Sequence, residues 1–278
     1  MLDERERAAE ALKPLLERLG LRLIGIPESG KKSLVYTVEG GGQRGILRIY
    51  RDPARLARSL WAKSRAQRFS LCVRTLKLGI ATGVPGWFVI EELAHPTDGV
   101  CRGELEDFME RLALFHRGTR LPALDAVVAR KWVRKTAGSA RYVEEAGGNT
   151  SGVLELASGV RRLTASLCHT DIGLSNAGFL EGRLTLFDWD RACYYPCILE
   201  VWQAIFHLGA KDVKGALEKY LAVHPAGFEE LRICGVMLCV SRMKKALKRK
   251  DEEAFSLYRS RLATFLSNPC AFIPERAS

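Results

Sequence analysis

Apolar positions along the chain run first at helical spacing, then at strand spacing, then return to helical spacing. Over residues 3–19, Ala8, Leu12, Leu15, Leu16 and Leu19 recur every three or four positions, which predicts an amphipathic helix. Short apolar-rich runs follow at 21–26, 34–38 and 45–50, separated by Ser29-Gly30-Lys31-Lys32 and by Gly40-Gly41-Gly42. Runs of this length between turn residues predict an antiparallel meander. Asp52-Pro53 supplies an N-cap and a first-turn proline for a helix over 53–68. Apolar stretches around Leu76 and over Trp87–Ile90 complete a five-stranded sheet, and 91–99, with Pro96 and Asp98-Gly99, reads as a connector. Helical patterning then covers 102–118, 122–135, 151–166, 197–210, 226–248 and 251–267. A β-rich part before a helical part predicts an α+β fold with a cleft between two lobes, divided into 1–92 and 93–278.

Composition narrows the class. Of 278 residues, 47% are apolar and 27% charged, which excludes disordered and collagen-like chains. No apolar run approaches the roughly 20 residues that span a bilayer, and the first residues are charged, so the expectation is a cytoplasmic protein. The eight cysteines are spread without metal-ligand spacing, and they read as reduced thiols.

Charge is unevenly distributed. The net charge is +11, and the stretch from Arg44 to Lys77 holds ten basic residues against the single acid Asp52. On the helix over 53–68, Arg55, Arg58, Arg65 and Arg68 share one face with Trp61, and acidic i,i+4 partners are lacking. This face is expected to meet an anionic partner, either lipid phosphates at the inner surface of a membrane or a phosphorylated saccharide, and no nucleic acid is expected. A second basic run, Arg242 to Lys250, reads as a solvated helix end.

Candidate chemistry concentrates where one β signal interrupts the helical half. Residues 176–188 centre on Glu181-Gly182, a two-residue hairpin turn. Pairing Leu180 with Arg183 brings Asn176 and Asp188 close together, and both offer the oxygen ligands that Mg²⁺ requires. Asp171 lies five residues before Asn176, in His169-Thr-Asp171-Ile-Gly-Leu-Ser-Asn176. A carboxylate able to take a proton, beside an Asn and an Asp able to hold Mg²⁺, is what phosphoryl transfer to a hydroxyl needs. Ser29 to Ser33, including Gly30 and Lys31, sits between two predicted strands where amides and lysines would cover ATP phosphates. A P-loop is the poorer description of that segment, since Lys32 occupies the Ser/Thr position and a strand comes next.

With these residues in view, the chain resembles the protein-kinase-like small-molecule phosphotransferases. His169-x-Asp171-x4-Asn176 and Asp188-Trp189-Asp190 are similar to the aminoglycoside phosphotransferase and choline kinase group. Arg51 to Ser59, Leu78 to Pro85 and Asp188 to Arg191 resemble the lipopolysaccharide core kinases. The resemblance implies a two-lobed kinase-like fold, with an antiparallel β-rich N-lobe and a mostly helical C-lobe. It further implies Asp171 as catalytic base, His169 as a brace of its loop, and Asn176 and Asp188 as magnesium ligands. Glu91-Glu92-Leu93 would be the hinge, with Glu91 and Leu93 beside the adenine of ATP. Glu200 would brace the catalytic loop, and His116 would be structural. Residues 117–168 and the last 80 or so would line the acceptor site.

Two departures qualify this picture. Arg48 occupies the third-strand position where the family carries a phosphate-binding lysine; arginine also binds phosphate, with different geometry. The following helix normally supplies a glutamate to pair with that lysine, yet no acid occurs from Pro53 to Ile90. Either an acid from another element substitutes, or Arg48 sits differently, or the protein is a non-catalytic nucleotide-binding module. The expected activity is ATP- and Mg²⁺-dependent transfer of the γ-phosphate to a hydroxyl of a sugar or sugar-like acceptor.

Overall fold

The structure is a computed structural model that describes residues 4–25 and 34–273. In chain order, the first elements are α1 (Glu4–Ala11), α2 (Lys13–Leu19), β1 (Arg22–Gly25), β2 (Leu34–Gly40), β3 (Gln43–Tyr50) and α3 (Pro53–Ala66). They continue with β4 (Thr75–Ile80), β5 (Trp87–Glu92), β6 (His95–Pro96), α4 (Arg102–Gly118), α5 (Asp125–Glu145), α6 (Val153–Ser158) and β7 (Ala165–Cys168). The remainder are β8 (Ala177–Leu180), β9 (Arg183–Leu186), β10 (Cys193–Pro196), α7 (Cys197–His207), α8 (Val213–Val223), α9 (Phe228–Arg249) and α10 (Glu252–Ser267). The chain divides into two units, Met1–Thr97 with Ala177–Arg191, and Asp98–Asn176 with Ala192–Ser278. The hairpin β8–β9 therefore groups with the N-terminal unit, across the division expected at residue 92.

In the first unit an antiparallel sheet runs β1-β2-β3-β5-β4. The single helix expected over 3–19 is two, because Pro14 in the first turn of α2 has no N–H to bond back toward α1. Leu12, Leu15 and Leu16 pack on Tyr36, Val38, Leu47, Ile49 and Phe88. Burial of each such side chain is worth roughly 1.5–3 kcal/mol. Asp52 caps α3 by accepting the Ala54 N–H at 2.9 Å, with Pro53 at the first position, as the sequence predicts. Leu56 and the half-buried Leu60 then pack on Tyr50 and Val89.

The hairpin register is the expected one, from Leu180 opposite Arg183 to Ala177 opposite Leu186. Glu181 and Gly182 both have positive φ, at 52° and 74°, as a type I′ turn demands. β6 extends this hairpin to three strands through His95 opposite Phe179. Gly178 permits the approach, since a Cβ there would stand 2.6 Å from the His95 carbonyl oxygen. The Leu186 N–H donates to the Leu71 carbonyl at 2.8 Å, tying the hairpin to the segment after α3.

The second unit is mostly helical. Glu104 accepts the Cys101 N–H at 2.7 Å and so starts α4. The segment 151–166, expected to be helical throughout, holds only the six-residue α6, which stops at Gly159; Ala165–Cys168 is strand β7, antiparallel to β10. Helix α8 lies outside the segments with helical patterning. Phe108, Phe115, Trp202, Tyr220 and Phe265 are fully buried in this unit. Among the described residues, no helix is long and apolar enough to cross a membrane.

Candidate active site

In the second unit, β7 delivers the chain into the loop 169–176, and hydrogen bonds fix that loop from several sides. His169 is fully buried, and its Nδ1 accepts the Asp171 N–H at 3.3 Å. Thr170 adopts φ 70°, costly for a β-branched residue. Its N–H donates to Glu200 Oε1 at 2.5 Å, which holds the strained residue in place. The other Glu200 oxygen accepts from His116 Nε2 at 2.9 Å, leaving His116 Nδ1 to accept from the Tyr220 hydroxyl at 2.9 Å. Asn176 Nδ2 donates to the Asp171 carbonyl at 2.8 Å. His207 closes the opposite side. Its Nδ1–H donates to the Ile172 carbonyl at 2.9 Å, so its Nε2 accepts from the Tyr258 hydroxyl at 2.9 Å. Asp171 itself is half-buried on this fixed backbone.

Glu200 and His116 thus behave as the braces that the sequence suggests, whereas His207 carries no recognisable motif and escapes sequence reasoning. His116, Cys168 and Glu200 come within 4.8 Å of one another. This buried cluster is hydrogen-bonded, and burial pushes the Cys168 thiol well above its ordinary range, against a nucleophilic role.

In the first unit Asp188 follows β9 with φ 65°, a left-handed conformation that Asp tolerates better than most residues. Arg48 Nη1 donates to its Oδ1 at 3.0 Å. Arg48 is buried and also lies 3.9 Å from Glu91. Glu91 in turn accepts from Lys63 Nζ at 2.7 Å, and Lys63 donates to Thr75 Oγ1 at 3.0 Å. The acid missing from the helix is therefore supplied by β5, and α3 contributes a cation instead. Glu91 sits within β5, paired with β3 and β4, and its carboxylate accepts from Lys63. Leu93 lies just beyond β5 and is half-buried, while Gly30 and Lys31 fall outside the described residues.

The basic helix also differs from expectation. Arg55 lies 3.6 Å from both Asp52 and Asp190, and Arg58 donates to the Asp190 carbonyl at 3.2 Å. Arg65 stacks on Trp61 with its guanidinium 4.4 Å from the ring centroid. Carboxylates from the cap and from the turn after β9 thus reach Arg55, whereas Arg58 and Arg65 meet a carbonyl and an aromatic ring instead of acids. Burial, then the neighbouring Asp188 carboxylate, raises the Asp190 pKa above its ordinary value.

The donor chemistry suits Mg²⁺. The Asn176 amide nitrogen is committed to Asp171, which leaves its Oδ1 as a ligand atom; Asp188 has one oxygen on Arg48 and a second to offer.

A pocket of about 330 Å³ opens in the second unit, with Thr170 in its wall. Lys131 and Lys135 of α5, Arg242 and Lys245 of α9, and the aromatic side chains Trp132 and Tyr195 line it, with the Lys135 ammonium 3.8 Å over the buried Trp132 ring, and no Asp or Glu does. Arg242 and Lys245 thus face a pocket rather than the solvated helix end expected of them.

Residues 24–234 match the phosphotransferase enzyme family. No curated protein is a significant match. Among solved structures, a thermostable mutant of the aminoglycoside phosphotransferase APH(4)-Ia is 15% identical with a TM-score of 0.62, over 93% of this chain and 99% of that one. The GDP complex of aminoglycoside 2′-phosphotransferase-IIIa is 11% identical with a TM-score of 0.62, over 96% and 100%. A choline/ethanolamine kinase family protein from Mesorhizobium loti is 18% identical with a TM-score of 0.60, over 97% and 96%. These likenesses establish the α+β, protein-kinase-like fold. The match spans more than half of the chain, which belongs to the phosphotransferase enzyme family.

Proposed function

We propose that the protein transfers the γ-phosphate of ATP to a hydroxyl of a small sugar-like acceptor. The observation that carries this reading is the loop 169–176, where Glu200, His169, Asn176 and His207 fix the backbone around the half-buried Asp171. Fixing a base in place without burying it is what phosphoryl transfer asks of the protein, since the reaction depends mainly on positioning and electrostatics. Asp171 accepts the acceptor's hydroxyl proton while that oxygen bonds to the γ-phosphorus and ADP departs. Arg48 contributes positive charge to the donor phosphates. Asn176 and Asp188 would hold Mg²⁺, which when bound neutralises phosphate charge. A nucleotide donor is supported by a structural relative crystallised with ADP and hygromycin B, and by the GDP complex of another.

The test is a nucleotide panel. Mg·ATP should raise the melting temperature, ATP with EDTA should raise it less, and the wild type should hydrolyse ATP slowly through Asp171. Absence of stabilisation by both ATP and GTP, with or without Mg²⁺, would overturn the reading in favour of a non-nucleotide binding module.

A further inference from the structure

The pocket beside the catalytic loop has a charge pattern that selects among acceptors. Lys131 and Lys135 are four residues apart on α5 and so project from one face, and Arg242 and Lys245 face the same space from α9. Four cations with no carboxylate among the lining residues form a concentrated positive field. Burial, and then the neighbouring Lys131 and Arg242 charges, lower the pKa of Lys135. Such an arrangement costs folding energy in the empty protein and is relieved by a bound anion.

The remaining lining adds sugar chemistry. Trp132 packs edge-on against Tyr195 at 4.9 Å between centroids and carries the Lys135 ammonium over its ring, so the aromatic pair backs one wall and fixes that cation, while the half-buried Tyr195 is the more open of the two rings. Gln203 is 4% exposed and donates Nε2 to the Tyr195 hydroxyl at 3.2 Å, while its Oε1 has no hydrogen-bond partner among the described residues. A buried acceptor of this kind is costly unless a donor reaches it, as a sugar hydroxyl would after a small side-chain rotation. The volume of about 330 Å³ suits a unit of monosaccharide to disaccharide size. Thr170, in the wall, directly precedes Asp171, so a molecule seated here lies along the segment that carries the base.

We infer that this pocket takes an acceptor carrying a phosphate monoester on a sugar, with Lys131, Lys135 and Arg242 on the phosphate and the sugar beside Tyr195 and Gln203. That the bound molecule is then phosphorylated rests on the phosphotransferase reading; that it binds here does not. A polycationic acceptor would meet four like charges and is excluded by the same field.

Binding is measured by calorimetry without nucleotide, at low and at physiological salt, using inorganic phosphate, glucose 6-phosphate, glucuronate, glucose and a polycationic aminoglycoside as probes. Glucose 6-phosphate should bind at least tenfold tighter than glucose, glucuronate should fall between them, and salt should weaken the phosphate-bearing probe most. Inorganic phosphate should compete with it. The double variant Lys131→Gln/Lys135→Gln should lose at least tenfold in glucose 6-phosphate affinity and melt no lower than the wild type, since it relieves the crowding of like charges. Equal binding of glucose and glucose 6-phosphate, indifference of both to the double variant, tighter binding of the aminoglycoside, or no binding of phosphate-bearing probes at millimolar concentration would each overturn the inference. Mg·ATP stabilisation, recorded on the same samples, separates the two readings: its loss with intact anion binding removes the kinase and leaves the pocket, and the converse removes only the pocket.

Discussion

Lys63 Nζ lies 2.7 Å from Glu91 Oε1, with the two side chains only 3% and 5% exposed, so α3 is joined to β5 through a buried charge pair. Its polarity is the reverse of the arrangement that the family resemblance implies, where the helix supplies the acid. The swap leaves Arg48 next to one carboxylate from β5 and another, Asp188, from the turn after β9. Two buried cations thus depend on Glu91, and its loss affects both.

Glu91→Gln keeps the shape and removes the charge. Lys63 would then be buried without its ion partner, close to the Arg48 guanidinium, and breaking such a pair typically costs about 3–5 kcal/mol. Urea unfolding should show a loss in this range, while Lys63→Met, which leaves Glu91 its contact with Arg48, should lose less. A Glu91→Gln loss below about 1 kcal/mol would show that the pair is not structural.

Legibility in the sequence tracks how local each signal is. The hairpin register needs only the turn Glu181-Gly182 and alternation on either side, and the start of α3 needs only Asp52-Pro53; both are as expected. The strands β7 and β10 are four residues each, and β7 is buried throughout, so Ala165–Cys168 shows no alternation and merges with the helical pattern before it. The Lys63–Glu91 pair joins residues 28 positions apart and has no sequence signature. The pocket draws on α5, the loop 169–176, β10, α7 and α9, and neither Lys131 nor Arg242 is distinguishable by sequence from a solvated basic residue. His207 is likewise silent, because its partner is a backbone carbonyl.

Asp171→Asn is isosteric, and the backbone contacts of residue 171 to His169 and Asn176 are unaffected by the change. Phosphate transfer, or ATP hydrolysis where no acceptor is used, should fall by about 10²-fold or more, with the melting temperature and ATP affinity nearly unchanged. Turnover close to wild type would remove Asp171 from the reaction.

Asp188→Asn is a better probe of the proposed metal site than alanine, because φ 65° is tolerated by asparagine and strained for alanine. The Mg²⁺-dependent part of the ATP-induced rise in melting temperature should disappear, while the protein without ligand shifts by no more than a few degrees. Asn176→Ala should reduce the same increment less. A full Mg²⁺-dependent rise in Asp188→Asn would rule out the metal role.

Acid should loosen the catalytic loop through His207. Its pKa is lowered from 6.5 to about 4, by burial first and then by Arg242, with Arg261 and Lys245 adding to the effect and the bond to the Ile172 carbonyl opposing it. A histidine with a depressed folded pKa binds its proton more readily in the unfolded chain. Above about pH 7 neither state is protonated and nothing is lost; as pH falls through 6.5 toward 4 the unfolded state is favoured, and below 4 both states carry the proton. Between those limits the slope approaches about 1.4 kcal/mol per pH unit for the one proton. His224, lowered to about 4 by burial and then by His116, adds a parallel contribution. Stability measured by urea unfolding from about pH 7.5 to about pH 4.5 should therefore decline, and His207→Asn, whose amide can still donate toward Ile172, should flatten the slope by about one proton near pH 5. An unchanged slope in a folded His207→Asn protein would show that His207 is already protonated in the native state, and that the Tyr258 hydroxyl does not donate to it.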